Sequence, residues 1–275
     1  MRDNFLNSQL FEFEKVDFDW QNHPVFKLRS SLTENQIFLG LTREPLIFLN
    51  NLKLKKSEFN PDYLIFASRH TSKAAKPSFL VHTTGNWNDV TDFGGDPREL
   101  SRTSAVLHKA GFISLIEQNV SKVLPEFSVD IEVTHHGPTS LDKPLIFMEL
   151  GSSKKEWQIS QAGQLVTKAI INTIYKYIQL EKEGTQKIGL GFGGTHYAPN
   201  FHRLIKNKNI AMSFICPKYY IQKLNKEIIK KMIDNTYEKV DYFLIDWKGT
   251  NSAEKTHLTS LLEDFNIPIK KTKDV

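Results

Sequence analysis

Val129-Asp130-Ile131-Glu132-Val133-Thr134-His135-His136-Gly137-Pro138-Thr139 is an apolar, β-branched run that ends on two adjacent imidazoles and is stopped by Gly-Pro. Residues 129–134 read as a strand, because Val, Ile and Thr suit a pleated surface and a Gly-Pro step cannot continue one. A strand end held by a rigid turn is a good mount for reactive groups. In an extended chain successive side chains point to opposite faces, so one imidazole can face a cleft while the other packs behind it. His135, nearer the strand end, is expected to face inward. Taken alone, the pair fits catalysis or metal binding no better than it fits ordinary packing.

Outward from this strand, short apolar runs alternate with longer helical patterns. Tyr63–Ala67, Phe79–His82, Leu145–Leu150, Ile188–Phe192, Ile210–Ile215 and Tyr242–Asp246 read as further strands. Between them the spacing predicts helices over Thr103–Val123 (with a polar outer face), Ser160–Lys182, Tyr219–Ile233 and Ala253–Phe265. That rhythm predicts an α/β fold with a mixed, mainly parallel sheet flanked by helices, and ligands at the carboxyl ends of the strands. Arg69-His70, His82, His135, Glu149 and His196 all fall at such ends. The first 60 residues are less regular, with apolar runs at Ile37–Leu41 and Leu46–Leu49, and residues 1–275 are expected to form a single domain.

Composition narrows the chemistry. One cysteine, Cys216, excludes an internal disulfide and a Cys-rich zinc site, and it suits a reducing cytoplasm. Any metal must therefore be held by His and carboxylates. No apolar run is long enough to span a bilayer, and Met1-Arg2-Asp3-Asn4 opens nothing like a secretory signal. The net charge of +5 permits a polyanionic partner without demanding one. Its distribution says more, because Arg69-His70-Thr71-Ser72-Lys73-Ala74-Ala75-Lys76-Pro77 is a cationic loop with no acid in it.

Gly189-Leu190-Gly191-Phe192-Gly193-Gly194-Thr195-His196-Tyr197-Ala198-Pro199 has glycines for a close backbone approach, but Pro199 interrupts where a dinucleotide fingerprint needs a helix. There is no Walker A lysine and no Gly-x-Ser-x-Gly elbow. Tyr197 offers a ring on which a base could stack, or simply packs half-buried. Glu149, closing an otherwise apolar strand, needs a cation, a metal or a histidine, an ordinary lysine ion pair being the plainer alternative. His82 is followed by the shaped turn Gly85-Asn86-Trp87, whereas His23, His108 and His257 read as surface residues. Histidines and a carboxylate without a nucleophile point to water activation, directly or through a metal.

Ser68-Arg69-His70, Ser72, Lys76-Pro77, Val81-His82, Gly85-Asn86-Trp87, Thr134-His135-His136-Gly137-Pro138-Thr139, Glu149-Leu150-Gly151-Ser152-Ser153, Glu156-Trp157, Gly191–Pro199 and Pro217-Lys218-Tyr219 occur in this order. Together they resemble the archaeal and plant type of D-aminoacyl-tRNA deacylase, with Thr195 where that family usually has glycine. The resemblance implies hydrolysis of the ester between a D-amino acid and the tRNA 3′ end, by a cytoplasmic, monomeric enzyme. It implies a fold akin to phosphorylase and peptidyl-tRNA hydrolase domains, and zinc as cofactor, as one ion or two. On this reading His135, His136, Glu149 and His196 are catalytic, and His82, His135, Glu149 and His196 are the candidate metal ligands. Arg69, His70, Ser72, Lys76, Asn86, Trp87, Gly193, Gly194, Tyr197 and Lys218 would contact the D-aminoacyl-tRNA acceptor end. A non-catalytic RNA-binding protein, or a phosphorylase or peptidyl-tRNA hydrolase relative cutting another bond, is the alternative.

Overall fold

The computed structural model describes residues 1–30, 33–54 and 60–275. In chain order the elements are α1 (Arg2–Leu6), β1 (Glu12–Trp20), β2 (His23–Arg29), β3 (Phe38–Leu39), β4 (Leu64–Arg69) and β5 (Ser78–His82). Next come α2 (Ala105–Ile116), α3 (Val120–Val123), β6 (Ser128–Ile131), β7 (Leu145–Gly151), α4 (Lys154–Trp157) and α5 (Ser160–Glu183). The chain closes with β8 (Lys187–Phe192), α6 (Pro199–Asn207), β9 (Ile210–Cys216), α7 (Lys226–Asp234), β10 (Tyr242–Ile245), α8 (Ser252–Leu262) and β11 (Ile269–Lys271).

The strands form two four-stranded sheets and a three-stranded one, where the sequence suggested a single large sheet. One sheet, ordered β4-β7-β5-β6, is mixed: β5 and β7 run antiparallel and the other pairs parallel. The other, β11-β10-β8-β9, is parallel throughout. β1, β2 and β3 make an antiparallel meander whose first turn places Gln21 and Asn22 at positive φ, the geometry that matches strand twist in a two-residue hairpin.

α2 packs against β5 of one sheet, β9 of the other, and α5. It is buried nearly all round, including His108, Lys109 and Ser114, so the polar outer face expected of it is absent. A helix enclosed on all sides has no solvent face to keep polar. The predicted helix over Thr103–Val123 is also broken in two, because Asn119 takes a left-handed conformation. Tyr219–Ile233 divides likewise into a 3-10 turn, Lys218–Lys223, and α7, which starts at the Asn225 cap. Pro199, read as an interruption, opens α6 instead, since its missing N–H costs nothing at the first helical position.

The segment after β6 joins the two sheets. Glu132 N still donates to Val81 O of β5. Val133 N then donates to His196 O at 2.9 Å, and Thr134 N to Ile215 O of β9 at 3.0 Å. The expected strand over 129–134 therefore ends at Ile131 within its sheet, and its last residues cross to the other. The imidazole pair is delivered to the seam.

Candidate active site

Because the seam draws side chains from both sheets, it collects seven ionisable groups from five segments. His82 ends β5, Glu149 lies in β7, His70 follows β4, Glu132, His135 and His136 come from the crossing segment, and His196 follows β8. His82 is fully buried, and Glu149, Glu132 and His70 are nearly so.

The two adjacent histidines do not point to opposite faces. His136 has φ +40°, so the chain turns between them and both rings meet His82, with centroids 4.2 and 4.7 Å away. They lie 4.5 Å from each other, and His135 is 4.8 Å from His196. The alternation rule fails here because it holds only for extended backbone. The turn is locked by backbone contact on three sides. A Cβ on Gly137 would lie 2.2 Å from Gly95 N, 2.4 Å from Ile47 O and 2.6 Å from the Gly94 carbonyl carbon.

Three of the imidazoles have their tautomer fixed by a main-chain carbonyl. The Nδ1–H groups donate from His82 to Thr83 O (3.1 Å), from His135 to Val133 O (2.8 Å) and from His136 to Gly137 O (2.7 Å). A carbonyl only accepts, so each Nε2 carries the free lone pair. His196 Nε2 lies 3.0 Å from Glu132 Oε1, and its Nδ1 is 3.2 Å from the Tyr219 hydroxyl.

Glu149 finds histidines rather than a lysine. Its Oε2 is 3.2 Å from His70 Nδ1 and 3.7 Å from His82 Nε2. Burial opposes its charge, but the hydrogen bond to His70 and the nearby His82 prevail and hold its pKa well below the usual carboxylate range. Burial likewise works against the protonated forms of His70 and His82, and is outweighed by Glu149 and Glu132, so both are raised. His135 and His136 go the other way. Burial and the neighbouring imidazoles push His135 far down and His136 to about 3, so both are neutral at physiological pH.

These donors suit a metal such as zinc. His82, His135 and His136 form one group whose ligand atoms lie within 4.8 Å of one another, Glu132, His135 and His196 a second, and His70, Glu132 and Glu149 a third. His70 Nε2, His82 Nε2 and Glu132 Oε2 are buried without a hydrogen-bond partner. Neutral imidazoles anchored through Nδ1, together with carboxylates, are a familiar donor set for zinc.

Other expected residues take different places. Tyr197 is 37% exposed at the mouth, next to His196, and Lys76 and Lys218 lie on the surface. Ser72 is half-buried, its N–H donating to Ser152 O, and it also bonds the Tyr197 hydroxyl. The Arg69 guanidinium lies 4.9 Å over the Trp157 ring. Gly193 and Gly194 sit at φ +105° and +79° and shape the turn before His196. His70, expected in the substrate-facing loop, is instead buried among the carboxylates. Asn86 and Trp87 also face inward: Asn86 bonds its own turn, and Trp87 Nε1 donates to Thr134 O at 2.6 Å. His108, expected at the surface, is 1% exposed with Nδ1–H donating to Met212 O, while His23 and His257 are half-buried. Sequence reasoning missed Glu132 and Tyr219. An acid three residues before His135 within an apolar strand was the available signal for the first.

Similarity to known proteins spans most of the chain. The family profile described as D-aminoacyl-tRNA deacylase matches residues 57–270. A D-aminoacyl-tRNA deacylase of Methanococcus vannielii is 36% identical over 225 residues, covering 79% of this chain and 85% of the relative. That of Pyrococcus abyssi is 30% identical over 264 residues, covering 95% and 91%. Among solved structures, the crystal structure titled as a conserved protein of unknown function, AF0625, superposes with a TM-score of 0.83 at 30% identity, covering all of this chain and 90% of that one.

Proposed function

The chain belongs to the D-aminoacyl-tRNA deacylase family, and on that premise we propose that its seam is the site at which the ester of a D-aminoacyl-tRNA is hydrolysed. The products are the free D-amino acid and tRNA. The observation that carries this reading is the convergence of five histidines and two glutamates within one seam, with no serine or cysteine nucleophile among them. Such a set activates water rather than forming an acyl-enzyme.

His135, His196 and Glu132 would hold one zinc ion, with His82 and His136 beside it, and His70, Glu149 and the second oxygen of Glu132 could hold another. When bound, zinc would polarise the ester carbonyl and lower the pKa of a water. The chain's own groups supply the rest. His136 Nε2, its ring fixed through Nδ1, would accept a hydrogen bond from the attacking water and orient it. Glu149 stays ionised and balances positive charge that develops on His70 and His82. The cationic loop carrying Lys73 and Lys76 and the exposed Tyr197 ring stand at the same mouth and would receive the acceptor end. The rigid Gly137 turn gives the pocket a fixed shape, which selects the D-configuration by excluding an L side chain.

The site takes residues from both four-stranded sheets, and we read residues 1–275 as one functional unit, acting as a monomer. No helix among the described residues is long and apolar enough to cross a membrane. The test is hydrolysis of matched D- and L-tyrosyl-tRNA by the wild type and by H82A, H135A, E149A and H196A, with zinc content measured separately. Wild-type rates in all four variants would refute the assignment of the site.

A further inference from the structure

A second concavity borders the candidate active site and shares Tyr219 with it. It has a volume of about 420 Å3 and is lined by Lys218, Tyr219, Lys248, Gly249, Thr250 and Asn251, with Glu254 at its edge. It lies at the carboxyl ends of β8, β9 and β10, where ligands of parallel sheets bind. Its size suits about one nucleotide.

Three observations give it a chemical character. Lys218 and Lys248 are exposed and neither makes an ion pair among the described residues. The Tyr219 ring is 52% exposed, and its hydroxyl is 3.2 Å from His196 Nδ1. Glu254, the one acid on the edge, is committed to capping α8, its Oε2 accepting from Asn251 N at 2.7 Å. Two ammonium groups beside an aromatic face are the recognition set for a phosphate attached to a base.

The cavity is also joined rigidly to His196. Gly193 N donates to Cys216 O at 2.8 Å and Lys218 N to Gly194 O at 3.1 Å, tying the His196 turn to the Lys218–Tyr219 turn. Asp246, which accepts from Gly249 N and Asn200 Nδ2, fixes the third wall against Gly194. A ligand here keeps a set distance from the imidazole cluster.

We infer that this cavity seats the 3′-terminal nucleotide of the substrate, with its base on Tyr219, its 5′-phosphate between Lys218 and Lys248, and its ribose directed at His196. The inference rests on the deacylase reading and adds to it a subsite beside His196 whose lining shares no residue with Tyr197 or the cationic loop. A terminal nucleoside in this position presents its aminoacylated hydroxyl to the seam, and the D-amino acid falls on the far side.

The experiment compares adenosine and AMP as inhibitors of D-tyrosyl-tRNA deacylation by the wild type, the K218A/K248A double variant, Y219A and Y197A. Both probes are expected to compete with substrate, AMP roughly tenfold the better in the wild type. In the double variant the two should become equal, and Y219A should weaken both. The salt slope of tRNA binding should fall by about 0.7 in the double variant, the value for one single-strand phosphate contact. Equal inhibition by both probes in the wild type, an AMP preference that survives in the double variant, or loss of inhibition in Y197A but not Y219A would overturn the inference. Calorimetric titration of AMP into the same proteins reads the subsite independently. A protein that binds AMP through the two lysines but leaves D-tyrosyl-tRNA intact would overturn the deacylase reading while keeping the subsite.

Discussion

His108 sits in the first turn of α2, enclosed between the two sheets, and that position makes the stability of the protein depend on pH. Burial lowers its pKa from 6.5 to about 4, and the carbonyls of Met212 and Val81, which favour the proton, do not offset this. The folded state therefore holds fewer protons on this ring than the unfolded state does below pH 6.5, so stability rises with pH through that range. The contribution is fully present above 6.5, is lost as pH falls, and levels off below about 4. The gap of about 2.5 pH units corresponds to roughly 3 kcal/mol in full, and about 1.4 kcal/mol of it is lost between pH 8 and pH 5.5. His108→Gln keeps an N–H for Met212 O and removes the titration. Urea midpoints at pH 8 and pH 5.5 should show the wild type losing about 1.4 kcal/mol more than the variant over that interval. Equal losses in the two proteins would refute the claim that this imidazole is held neutral by the fold.

Two substitutions probe the site's geometry and charge. Gly137→Ala places a methyl against the backbones of residues 47, 94 and 95, none of which is a side chain able to swing away. It should cost about 1–3 kcal/mol in a denaturant titration and lower kcat on the order of 100-fold, because the turn carries His136. Wild-type values of both would show that the turn is not locked. Glu132→Gln, at a buried carboxylate shared by His196 and His70, should reduce bound zinc and lower the deacylation rate by about 100-fold or more. A variant retaining full zinc and full rate would remove Glu132 from the site.

Much of this site was legible in the chain, and the failures have physical causes. The strand ends, the imidazole pair and Glu149 stood out because polar groups at the edges of apolar runs are costly without partners. Glu132 did not, since alternation along a strand assigns an acid to the solvent face, and only the crossing between sheets turns it inward. His136 was assigned to the wrong face because its left-handed backbone cannot be read from residue type. His108 was taken for a surface residue because a helix buried all round looks like one with a polar face when a histidine, a lysine and a serine lie in it. In the N-terminal meander the apolar alternation shifts phase between Phe13 and Val16, and the β1–β2 register is irregular between Lys15 and Asp19. That irregularity broke the period-2 signal.

The central claim is that the seam hydrolyses the ester of a D-aminoacyl-tRNA. Single-turnover deacylation of D-tyrosyl-tRNA and L-tyrosyl-tRNA, side by side with the zinc-loaded wild type, measures it directly. Release of D-tyrosine far above the spontaneous rate is expected, with L-tyrosyl-tRNA left near it and both differences abolished in E149A. Equal rates on the two substrates, or a D-specific rate that E149A retains, would contradict it.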